Sequence, residues 1–158
     1  MCNASSFALS VLAVTVLLAG CATQPGTGSQ ASSPATVERV GLSATQLNAG
    51  HVGQAFLVQR EGITDVVVQV SGVPNSVTLP VHLHTYIHQG SCASLAPRPA
   101  YSLTSRVLAN RDIDGFLTLR NTAPVSLDTL RASAHALVVR SDAADANKLL
   151  FCGDLRWG

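Results

Sequence analysis

The chain has 158 residues, a formal net charge of +1 and only 12% charged residues. A balance so sparse and so near neutral excludes an electrostatic nucleic-acid binder, which would carry a basic stripe. The length allows one domain with a modest single core, and neither an internal repeat nor a Gly-rich phosphate loop after a strand is visible.

Phe7 to Leu18 is an apolar run, followed by Ala19-Gly20-Cys21. It is too short to span a bilayer and reads as a cleaved export signal. Met1 to Ser6 carries no Lys or Arg, unlike the basic start of most such signals. Leu18-Ala19-Gly20-Cys21 resembles the lipobox of bacterial lipoproteins. The resemblance implies cleavage after residue 20, a lipid on Cys21, and a membrane partner reached through that lipid. With Ala22 and not Asp next, it implies an outer-membrane lipoprotein facing the periplasm. Residues 21–36 then form the lipidated cysteine and a tether. Ala22 to Thr36 contains no charge, no aromatic ring and nothing larger than Gln, so it cannot bury enough apolar area to offset its ordering entropy. Its typical reach is about 20 Å for about 15 residues. Residues 37–158 make up the folded domain.

Cys2 leaves with the signal and Cys21 takes the lipid, so two cysteines, Cys92 and Cys152, remain for an oxidising compartment. One disulfide is the expectation. A Cys–His metal site is the alternative, although no CxxC spacing accompanies it.

The domain reads as β throughout. Ala55 to Val58 and Val66 to Val70 are short apolar or β-branched runs, and turn-rich Ser71 to Ser76 precedes a strand from Val81 to His88. Asp112-Ile113-Asp114-Gly115 predicts a hairpin turn before Phe116 to Arg120. Ala136 to Arg140 and Leu149 to Cys152 complete the strands, and Ser126 to Ala132 suggests one helical turn. Short strands separated by turn signals predict an antiparallel sandwich or barrel.

On the strand Val81 to His88, alternate side chains share a face. Val81, Leu83, Thr85 and Ile87 are expected on the core side, and His82, His84, Tyr86 and His88 on the other. Three of the chain's five histidines therefore fall on one face. Imidazoles two residues apart on a strand can converge on one metal ion, and Cu(I) accepts two or three such ligands; a solvated, hydrogen-bonded face is the alternative. His135 is expected to be structural, His51 to be exposed in a turn, Arg98 and Arg106 to be solvated, and Arg140 to pair with Asp142 or Asp145.

The order of motifs is Val70-Ser71-Gly72-Val73, His82-Leu83-His84, Gly90-Ser91-Cys92, Asp114-Gly115, Leu137-Val138-Val139 and Cys152-Gly153. From about Val66 to Leu155 this order resembles the copper–zinc superoxide dismutase family. The resemblance implies an eight-stranded Greek-key β-barrel with Cys92 joined to Cys152, and makes His82 and His84 two copper ligands. Arg140 stands where a further copper histidine belongs, and a guanidinium has no lone pair to donate. Ala93 to Arg106, where the bridging and zinc ligands belong, has no His, Asp or Glu, and Leu149 replaces the anion-steering arginine. The expected function is a non-catalytic binding module for a protein or envelope ligand. The alternative is a copper-binding or copper-buffering protein using His82, His84 and His88, with copper as its cofactor. A working dismutase fits least.

Overall fold

A computed structural model describes residues 35–157. Residues 1–20, expected to be a signal peptide, Cys21 and nearly all of the expected tether lie outside the described residues. The strands are β1 (Val37–Ala44), β2 (Gly53–Gln59), β3 (Thr64–Val70), β4 (Leu83–Ser91), β5 (Ser94–Leu95), β6 (Tyr101–Leu103), β7 (Asn110–Arg111), β8 (Leu117–Ala123), β9 (His135–Ser141) and β10 (Leu149–Leu155). A short α-helix, α1 (Leu127–Arg131), lies between β8 and β9, and single 3-10 turns lie at Gln46–Asn48 and Ala143–Asp145. The pairing is antiparallel throughout, in the order β5-β4-β9-β10-β1-β2-β3-β8-β7, with β6 beside β4.

β1, β2 and β3 form a meander, and β7–β8 and β9–β10 form hairpins. The connections from β3 to β4, from β6 to β7 and from β8 to β9 cross between the two halves, and β10 pairs back onto β1. The result is the all-β sandwich expected from the sequence. Two of the additional short strands, β5 and β6, lie in the stretch Ala93 to Arg106 that reads as a loop. β6 is captured by β4 through Thr85↔Leu103 and Ile87↔Tyr101.

Period-two alternation builds the core. Val66, Val68 and Val70 of β3 point inward, with Leu83, Thr85 and Ile87 of β4 and Leu117 and Leu119 of β8. β9 is buried along most of its length and supplies Leu137 and Val139 to this core. On its other side Ala136 and Val138 join Cys152 in a second, smaller cluster with Tyr86, Cys92, Leu95 and Leu149. Two apolar faces explain why the sequence of β9 reads as a continuous apolar run rather than alternating. The Asp112–Gly115 hairpin forms as expected. Asp112 Oδ1 accepts from the amides of Asp114 and Phe116, while Gly115 takes φ +85°, which a side chain would disfavour.

Cys92 and Cys152 are joined. The bridge lies at the outward face of β10 and holds down the segment between β4 and β6. Cys92 N–H also donates to Asp154 Oδ1 at 2.6 Å.

Candidate functional site

Cross-strand registers set the outer face of the β4-β9-β10 sheet. His84 lies opposite Arg140, Tyr86 opposite Val138, and His88 opposite Ala136. Arg140 is in turn opposite Leu149, and Val138 opposite Cys152. Directly opposed residues in an antiparallel pair share a face, so His84, Arg140 and Leu149 form one row and Tyr86, Val138 and Cys152 the next.

The chain after Cys92 folds back over this face. Leu95 packs on the Ala136, Val138 and Cys152 cluster, and His88 Nδ1–H donates to the carbonyl of Ala96 at 2.8 Å. His88 is therefore buried, at 6% exposure, and its Nδ1 is committed as a donor. A recess of about 320 Å³ remains beside this strap, lined by Tyr86, His88, Pro97, Pro99, Arg140 and Asn147. Tyr86 stands between two imidazoles, parallel to His84 at 6.5 Å and edge-on to His88 at 6.3 Å between ring centroids.

His82 precedes β4 and forms an isolated bridge with Leu108. His84 Nε2 lies 3.1 Å from Asp142 Oδ2. Asp142 also caps the turn that follows, accepting from Ala144 N–H at 2.9 Å. That amide first, and His84 second, hold the Asp142 carboxyl below the usual carboxylate range, against a smaller opposing effect of desolvation. The sign of the linkage follows from the direction of this shift. A depressed carboxyl stabilises the fold above its unfolded value of about 3.9, and the contribution is lost as pH falls through the folded value. The advantage of the wild type over Asp142→Ala should therefore be steady near neutral pH and shrink below about pH 4. Urea midpoints at pH 7 and pH 3 measure this, and an unchanged difference between the two would contradict the assignment.

The structure corrects two expectations. Arg140 pairs with neither Asp142 nor Asp145; its Nη1 donates to the carbonyl of Asn147 at 3.1 Å. Asp142 is taken by His84, and Asp145, buried at 8% exposure, accepts from the amide and hydroxyl of Thr78. His51 is half-buried rather than exposed. Its ring covers Gly72, where a Cβ would lie 2.5 Å from the imidazole, and its Nδ1 is 3.4 Å from Ser71 Oγ. Buried His135 donates from Nδ1 to the carbonyls of Leu130 and Ser133, each at 3.0 Å, and so ties the end of α1 to β9.

No family model, curated protein or solved structure matches the chain.

The arrangement can be tested against a copper or zinc centre. His84 and His88 lie on the outer side of β4 and His82 just before it, but His84 is held by Asp142 and His88 by the carbonyl of Ala96. Among the described residues, no group of three or more His, Cys, Asp or Glu is spaced to hold a metal ion. A fixed cation, Arg140, lies opposite His84, and a positive guanidinium there opposes a metal cation. The residues as placed do not fit a dismutase-type copper or zinc centre.

Proposed function

We propose that this chain is a lipid-anchored domain of the bacterial cell envelope that binds a ligand rather than catalysing a reaction. In this reading its scaffold is akin to copper–zinc superoxide dismutase. The observation that carries it is the use made of the histidine face. His84 is bonded to Asp142, His88 to the carbonyl of Ala96, and Arg140 stands across from His84. Groups that would have to exchange metal or proton are engaged in holding loops. The joined cysteines and the antiparallel strand pairing support the kinship. The Leu18-Ala19-Gly20-Cys21 motif supports the anchor.

The test has two arms on the full chain expressed in a bacterial host. Cys21→Ala should move the protein from the membrane pellet to the soluble envelope fraction, because stable attachment by acyl chains has no replacement in the tether. Retention of the variant in salt-washed membranes would end the anchor reading. In the second arm, wild-type protein incubated with excess Cu(II) should not dismute superoxide above the rate of a Cys21→Ala sample carrying His82→Ala and His84→Ala. Turnover abolished by those two changes would make the protein an enzyme. Stoichiometric copper uptake that depends on them, without turnover, would favour the copper-buffering alternative.

A further inference from the structure

The outer face of the opposite sheet carries two adjoining clefts, of about 560 and 240 Å³. Val58 of β2 and Val67 of β3 line the first, with Arg60, Arg106 and Arg120 around them. The second shares Arg106 and Arg120 and adds Arg111. The pair Arg106 and Arg120 thus stands at the junction of one continuous groove.

The carboxylates in this groove are already engaged. Asp65 is bound by Arg60 at 3.0 Å and by the hydroxyl of Thr122 at 3.1 Å. Asp112 accepts from the amides of Asp114 and Phe116 and from the Thr118 hydroxyl. Among the described residues neither Arg106 nor Arg120 has a carboxylate partner. Arg106 is exposed on a loop, as expected, and its backbone is held. Asn121, 7% exposed on β8, accepts from Arg106 N–H at 2.9 Å and Ser105 Oγ at 2.8 Å, and donates to the Arg106 carbonyl at 2.8 Å. A buried amide on the strand next to Arg120 therefore fixes the loop carrying Arg106. Both arginines line both clefts, and the backbone that carries Arg106 is fixed.

The geometry points to a binding groove for a phosphate-bearing chain. A terminal phosphate carries about −1.5 to −2 charges at neutral pH, matching two unpaired guanidinium groups, and arginine forks bond its oxygens bidentately. Arg111 on one flank, which has no carboxylate partner among the described residues, would meet a neighbouring anionic group, with the body of the ligand over Val58 and Val67. A recess with cations on its walls suits a discrete chain entering it better than a flat bilayer. This inference does not rest on the anchor or on the fate of the histidine face.

Isothermal titration of the purified full chain with sodium tripolyphosphate at low salt tests it. Saturable binding is expected, weakening as salt rises. The Arg106→Ala/Arg120→Ala double variant should lose roughly tenfold or more in affinity, since each removes hydrogen bonds to a charged group. Arg98→Ala, which changes an exposed arginine in the loop between β5 and β6, should bind as the wild type does. Both arginines are exposed, and unchanged thermal melting of the double variant will separate lost binding from lost folding. Absence of saturable binding, or equal weakening by Arg98→Ala, overturns the proposal. So does capture by phosphatidylglycerol vesicles without tripolyphosphate binding, which would assign the cations to a membrane surface instead.

Discussion

Exchanging Cys92 and Cys152 together for serine should lower the unfolding free energy by about 4 kcal/mol, because the bridge closes a separation of 60 residues. For a domain of this size the melting temperature should fall by on the order of 15 °C. The loss should also be uneven. The bridge holds the segment after β4 over the second cluster, where Cys92 and Leu95 pack on Ala136 and Val138. The meander β1-β2-β3 and its partner β8 do not touch that segment through any ladder. Amide exchange in the double variant should therefore rise first at residues 92–100 and last in β3. Calorimetry and hydrogen exchange check the two statements separately. A melting temperature within a few degrees of the wild type would mean that the bridge is a minor constraint.

Phe151→Ala should cost about 3–5 kcal/mol, the range for truncating a fully buried aromatic ring. Phe151 has no exposure and is among the largest side chains so enclosed. It lies where β10 crosses from β9 to β1: opposite Val139 on one side and Ala44 on the other. The register shifts between Leu149 and Phe151, so that Leu150 and Phe151 are both buried in succession. Gly53 meets the ring so closely that a Cβ there would be 3.2 Å from it. With β10 and β2 already in contact at that point, little of the vacated space can collapse. Denaturant titration should show a lower midpoint with an unchanged slope. A loss below about 1 kcal/mol would place the ring outside the core.

Much of the architecture was legible in the sequence because burial on a strand alternates with a period of two. Val66 to Val70 and Val81 to Ile87 show this directly, and their inward residues are those expected. The Asp112–Gly115 turn and the helical turn after Ser126 were legible for a local reason as well, since side chains there bond the backbone a few residues away. β1 was not legible. Val37 to Ala44 includes Glu38, Arg39 and Gly41, and only Val40 and Leu42 are buried. It is a strand because β10 and β2 pair with its two edges, a condition no local pattern expresses. β5 and β6 are too short for any periodicity to register.

The sequence by itself determined that this is a β domain with two cysteines available to each other and one strand presenting histidines away from the core. Those properties depend on residue type and spacing within single segments. Only the tertiary structure decided what the charged and polar side chains do. Asp145 reaches Thr78 across 67 positions, Asp142 turns to His84 across 58, and Asn121 locks the backbone of Arg106. The strap that buries His88 and the pairing that sets Arg140 opposite His84 are likewise products of chain crossing. A partly buried polar group takes whichever partner the fold brings within hydrogen-bond reach, because leaving it unpaired costs about 1–3 kcal/mol. Its choice is therefore made by distant segments meeting, and not by its neighbours in the chain.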